Sequence, residues 1–374
     1  MAGGKADPRS RAPARGTAFR LSLQLVKFSL FLLSALAAHA AEVLTTATLP
    51  PEQLRFGSVT LYSENDKYFA GTDQHYTNGF KLSALSADLT NFTSDPVPRL
   101  VQDVARALDR LVPPGHDCKL GLALGQNLYT PANITTTSPQ PADRPYAAWL
   151  YTSAAFQVYQ PPRVFASGWR AIAQLDTLEV STGLVGPGAL GRQVQNNVHS
   201  LLGLAHANGW PNQIHNELGL VLALERKWRI ATARARDDWG ADFIPHLGAT
   251  AGNIFAFANA GAEVRAGWRL PADFGTDLIR PSGESNSQRR PEWSAFAFAA
   301  TDGRAVARDV TLDGNTFRAS PHVDKKPFVG DVLGGLALGT RRWQFTYSEA
   351  LRTKEFKAQI KASVFGSISA TLYY

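Results

Sequence analysis

The C-terminal stretch KASVFGSISATLYY, residues 361–374, constrains the fold more than any other part of the chain. One parity is apolar: Ala362, Val364, Gly366, Ile368, Ala370, Leu372 and Tyr374. The other is mostly polar: Lys361, Ser363, Ser367, Ser369 and Thr371. Alternation with period two over this length fits a tilted transmembrane β-strand with one face in lipid and one toward a lumen. Such a strand cannot stand alone in a bilayer, because hydrocarbon offers its backbone N–H and C=O groups no partners. It demands a closed barrel.

The same alternation recurs at 57–63, 78–87, 119–127, 146–159, 175–182, 217–228, 242–251, 259–270, 292–305, 328–339 and 342–351. With the last segment this makes twelve, an even number that returns both termini to one side. The expected fold class is all-β, a transmembrane antiparallel β-barrel of about 12 strands with short helices in its rim loops. If the termini face the periplasm, loops 64–77, 128–145 and 183–216 share the outer rim. Segment 97–113 carries Leu100, Val101, Val104, Ala105, Leu108 and Leu111 at helical spacing. It reads as an amphipathic helix on the periplasmic side.

Residues 1–40 read as a signal peptide, with 41–374 forming the barrel. Arg9, Arg11, Arg15, Arg20 and Lys27 precede an apolar run from Phe28 to Ala38, and Ala38-His39-Ala40 ends in a small-x-small cleavage pattern. The run is too short for a membrane-spanning helix, which needs roughly 20 residues. Removing 1–40 takes away six Lys/Arg and one Asp, so the formal +7 falls to +2. The basic pI therefore gives no argument for a nucleic-acid partner. Cys118, the one cysteine, excludes an intrachain disulfide and reads as a core or wall residue.

The first rim loop, within YSENDKYFAGTDQHYTNG (62–79), crowds acidic side chains, amides and hydroxyls between two strands. Oxygen-rich loops of this kind suit a hard cation. In the third rim loop a Gly186-Pro187 turn precedes Gln195 and His199, which at i, i+4 share one helix face. A histidine so placed, opposite an acidic loop, is a candidate general base. His206 and His215 read as surface or structural. Ser63 and Thr77 leave a serine-esterase reading open, but no G-x-S-x-G elbow occurs.

In these motifs the chain resembles the outer-membrane lipid A 3'-O-deacylases. The resemblance rests on Glu64-Asn65-Asp66, Tyr76-Thr77-Asn78-Gly79, Gly125-Gln126-Asn127-Leu128-Tyr129-Thr130-Pro131 and Asp143-Arg144-Pro145-Tyr146. It continues through Gln195-Asn196-Asn197-Val198-His199, Gly209-Trp210, Gln213 and Asn216-Glu217. It implies a twelve-stranded barrel with a calcium-dependent esterase site at the outer rim, acting on lipid A of lipopolysaccharide by removing the 3'-linked acyloxyacyl group. His199 takes the place of the general base. Asn65, Asp66, Thr77 and Gln195 take the calcium and substrate-oxygen site, with Asp66, Asn65 and Gln195 as metal ligands. The chain departs from the family pattern twice. Ile134-Thr135-Thr136-Thr137 stands where a lysine is expected, which leaves a sugar-phosphate contact to Arg144 or Arg192. Ala205-His206 lies where an acidic residue follows the base. Competing readings are an outer-membrane phospholipase and a non-enzymatic ligand-binding barrel.

Overall fold

A computed structural model describes residues 55–66, 68, 75–89, 106, 116–163, 172–231, 238–276, 279 and 290–374. The expected signal peptide lies outside the described residues. So does segment 97–113, save Arg106, which is helical.

Twelve strands form, one at each expected position. They are β1 (Phe56–Asn65), β2 (His75–Ser86), β3 (Asp117–Thr130), β4 (Ala147–Arg163), β5 (Ile172–Val185) and β6 (Glu217–Ala231). The second half comprises β7 (Trp239–Gly252), β8 (Phe255–Trp268), β9 (Trp293–Asp309), β10 (Phe328–Thr340), β11 (Trp343–Arg352) and β12 (Ser363–Tyr373). Each strand pairs antiparallel with its neighbours in sequence, and β1 closes on β12 from Ser58↔Tyr373 to Asn65↔Gly366. Closure leaves no edge, so every ladder group can find a partner.

Alternation sorts the side chains as the pattern requires. On β6, Leu218, Leu220, Leu222 and Leu224 face outward and are exposed, while Val221, Ala223, Glu225 and Lys227 face inward and are buried. On β12, Ser363, Ser367 and Ser369 are buried toward the lumen. Among the described residues no helix is long and apolar enough to cross a membrane; the strands do the crossing. Cys118 is fully buried in the wall beside Leu89, Leu120 and Phe156.

The lumen is filled by ion pairs. Asp331 accepts from Arg352 and Arg304, each at 2.9 Å. Arg265 binds Asp242 at 2.7 Å and also pairs with Asp273. Asp273 belongs to the β8–β9 connection, part of which enters the barrel. There Thr276 N–H donates to Glu263 (2.9 Å) and Ile279 N–H to Glu64 Oε1 (2.8 Å). A barrel occupied in this way is not an open pore.

The β5–β6 connection contains helix α1 (Gly191–Leu202). Gly186 turns the chain into it at φ 91°, where a Cβ would meet the His215 backbone at 2.5 Å. Gly203 ends it at φ 66°, its N–H reaching the carbonyls of His199 and Ser200. A second, one-turn helix, α2 (Val310–Asp313), follows β9. Its cap Asp309 accepts from the Thr311 N–H.

Candidate active site

Which side of the wall carries the site follows from parity. Gln126 and Leu128 on β3, and Ala148 and Leu150 on β4, share the outward parity of exposed Leu124. Leu128 and Ala148 are nonetheless buried, because Ala189, Ala207 and Trp210 of the β5–β6 connection cover them. Gln126 Nε2 donates to the Ala189 carbonyl at 2.6 Å. At the other end of α1, Leu202 packs with Leu61 of β1, Ile368 of β12, Phe80 of β2 and Tyr68. Helix α1 therefore lies across the outside of the wall, from β4 to β1 and β12, at the rim. Gly191 permits the close approach: a Cβ there would stand 2.5 Å from the Trp210 ring and 2.7 Å from Ala148 Cβ.

The buried face of α1 carries Gly191, Gln195 and His199, spaced as one helix face requires. His199 Nδ1 lies 2.5 Å from the Ala205 carbonyl oxygen. A carbonyl only accepts, so Nδ1 bears the proton and Nε2 is the ring's basic nitrogen. A backbone carbonyl thus orients the His199 ring. Gln195 Oε1 accepts from Trp210 Nε1 at 2.7 Å. The return segment is pinned to the helix by Asn196, whose Oδ1 accepts from Ala207 N–H (2.8 Å) and whose Nδ2 donates to Ala207 O (3.2 Å).

Opposite the helix, Asn65 ends β1 and pairs with Asn78 on β2 and Gly366 on β12. Asp66 follows, 2% exposed. Thr77 is also buried, its hydroxyl 2.6 Å from that of Thr130. The sequence put Asn65 and Thr77 in a loop, but the strands extend through both, with a bulge between Tyr76 and Asn78 on the β3 side. Ser63 shares a 2.7 Å hydrogen bond with the Tyr68 hydroxyl. On the lumen side of the same strand ends, Tyr76 donates to Glu64 at 2.7 Å.

The two phosphate candidates part company. Arg144 is completely buried, donating to Glu355 and Thr311 at 3.1 Å each, with its guanidinium 4.9 Å from the Tyr129 ring centre. Burial pushes the Glu355 carboxyl upward, but Arg144 and Arg352 outweigh it and hold the group below the usual carboxylate range. Arg144 belongs to this internal network and does not reach the rim surface. Arg192 is exposed on the first turn of α1. The stretch 134–137, which lacks the expected lysine, is a docking strip. Ile134 O accepts from Asn208 N–H, and the Thr135 and Thr137 carbonyls accept from the Asn208 and Asn212 amides.

His206 is exposed and bonds Ser200, and the His215 backbone is clasped by Asn315. Neither enters the buried helix face. Sequence reasoning missed Trp210 as a partner of Gln195 and the Ala205 carbonyl as a partner of His199. Only the Gly209-Trp210 motif signalled the first.

Among the described residues no three His, Cys, Asp or Glu side chains cluster as a metal site. The donors at hand are the buried Asp66 carboxylate and neutral oxygens of Asn65 and the backbone. That set fits a hard, oxygen-seeking cation and not zinc.

A closed twelve-stranded barrel with an exposed leucine belt, ion pairs in its lumen and a helix packed on its outer wall is an outer-membrane protein. The chain belongs to the family of the outer membrane protein LpxR, whose sequence model matches residues 26–374. Its fold is similar to that of LpxR from Salmonella typhimurium, with a TM-score of 0.65 and 19% identity over 85% of this chain and 100% of that one. The β domain of the Bordetella autotransporter BrkA aligns with a TM-score of 0.44 and 9% identity over 86% of this chain and 100% of that one. No curated protein sequence matches the chain.

Proposed function

We propose that this LpxR-family protein is a calcium-dependent esterase that removes the 3'-linked acyloxyacyl group from lipid A in the outer leaflet. The observation that carries the reading is His199. Its Nδ1 proton is committed to the Ala205 carbonyl, on a helix face buried against the lipid side of the barrel wall. Lipid substrate then enters the cleft sideways from the leaflet, without passing through the filled lumen. His199 Nε2 takes a proton from water as the water oxygen attacks the ester carbonyl, and afterwards returns it to the departing sugar oxygen. Asp66, with Asn65 and backbone oxygens, would hold calcium. Bound there, the ion supplies positive charge to the carbonyl oxygen as it becomes an oxyanion. Thr77 fixes the second strand end through Thr130, and exposed Arg192 would meet a sugar phosphate.

Mass spectrometry of lipid A from cells with and without the protein tests this reading. Loss of one acyloxyacyl mass, abolished in His199→Ala, is expected. Release of lysophospholipid with unchanged lipid A would replace it with a phospholipase, and no lipid change would leave a binding barrel. His199→Ala should lower turnover by about 10²–10⁴-fold, as lost acid–base catalysis does. His206→Ala and His215→Ala should leave it near wild type.

A further inference from the structure

Gln195 has a fixed polarity. The Trp210 indole N–H only donates, so the end it touches at 2.7 Å must be Oε1. Trp210 is fully buried on the β4 side of the cleft, among Tyr146, Ala148 and Ala189. Helix α1 runs from there toward β1, where Leu202 packs on Leu61. The amide nitrogen of Gln195 is the end left over, on the buried helix face that also carries His199 one turn on. That nitrogen is buried, Gln195 being 3% exposed, and no acceptor among the described residues meets it. Buried N–H groups nearly always have acceptors, so an unmet one beside a proposed ester site calls for an oxygen from outside the chain.

From this we infer that Trp210 is a positioning residue that sets Gln195 as a hydrogen-bond donor to the carbonyl oxygen of the scissile ester, and that Gln195 is not a calcium ligand. The inference rests on the esterase reading and refines it. Charge builds on the carbonyl oxygen as water attacks, and a donor already aimed at it strengthens its bond in the transition state. A metal ligand would have to present oxygen, and Gln195 Oε1 already gives one of its two lone pairs to the indole of fully buried Trp210.

Three variants of the full-length protein in detergent micelles test it, each checked for heat-modifiable migration: Gln195→Glu, Gln195→Ala and Trp210→Phe. The readouts are kcat and KM for lipid A, and equilibrium binding of radiolabelled calcium. Gln195→Glu keeps the shape and an oxygen for Trp210 but loses the donor. It should lower kcat by about 10²–10³-fold, as loss of one such donor does, with calcium binding unchanged. Gln195→Ala should match it. Trp210→Phe keeps a buried ring and frees the amide to rotate, so kcat should fall with KM nearly constant. An active Gln195→Glu enzyme, or calcium binding weakened by Gln195→Ala, overturns the inference. Should Trp210→Phe fail to fold, the two Gln195 variants still decide. Failure of the esterase reading is separate: it shows as a wild-type protein whose lipid A product is the same as that of empty membranes.

Discussion

Arg144→Met separates a structural arginine from a substrate-binding one. The substitution keeps the side chain's apolar bulk and removes a guanidinium that is wholly buried. Glu355 then loses its partner at 3.1 Å, and removing one member of a buried pair costs about 3–5 kcal/mol. Arg352 still stands 3.6 Å from the same carboxylate, which places the cost near the lower end, about 3 kcal/mol. Loss of the cation over the Tyr129 ring adds roughly 0.5–1 kcal/mol. Urea unfolding of the protein in micelles should show a drop of this size, and Arg144→Met/Glu355→Gln should recover most of it. The difference should also depend on pH. The folded-state pKa of Glu355 is depressed, so its stabilisation is present above the unfolded carboxylate pKa of about 4.3 and is lost as pH falls through the folded value. The gap between wild type and Arg144→Met should therefore narrow in acid. Unchanged stability with a raised KM for lipid A would refute the reasoning and return Arg144 to the phosphate.

The same residue shows where sequence reading stops. Twelve strands were legible because period-two alternation is local and repeats along the chain. Gln195 and His199 were legible as neighbours because i, i+4 spacing is local too. Arg144 was not. In a polar loop it reads as exposed, and the carboxylate that draws it inside lies 211 positions further along. Nor could sequence say that the candidate site residues lie on the outside of the barrel. That follows from parity at the strand ends, where Glu64 points into the lumen and Asn65 does not, and from a helix folded back over Leu128 and Ala148. Thr77 looked like a loop residue because a bulge interrupts the periodicity between Tyr76 and Asn78. The carbonyl that orients His199 belongs to the backbone, which leaves no mark in sequence.

Asp66→Asn should raise the calcium concentration needed for half-maximal deacylation, and EDTA should stop wild-type turnover reversibly. Full activity in EDTA would remove the metal from the mechanism. Arg192→Ala should raise KM for lipid A several-fold with kcat and urea stability unchanged, and an unaltered KM would exclude it as the phosphate contact. Tyr76→Phe probes the wall from its other face. Glu64 accepts from the Tyr76 hydroxyl at 2.7 Å and from Ile279 N–H at 2.8 Å, inside the lumen. The next residue on each strand, Asn65 and Thr77, carries the proposed site, so this clamp holds the strand ends from behind. A hydrogen bond to a charged acceptor contributes about 1.5–3 kcal/mol, and its loss should let the β1–β2 end open more often without unfolding the barrel. Amide exchange at 62–66 and 76–79 should rise by about 10–100-fold, that energy being a factor of ten per 1.4 kcal/mol, while β6 to β9 stay protected. The calcium requirement should rise in parallel, because Asp66 sits on the loosened end. Exchange confined to its wild-type rate with altered activity would mean that Tyr76 acts on the site by some route other than holding these strands.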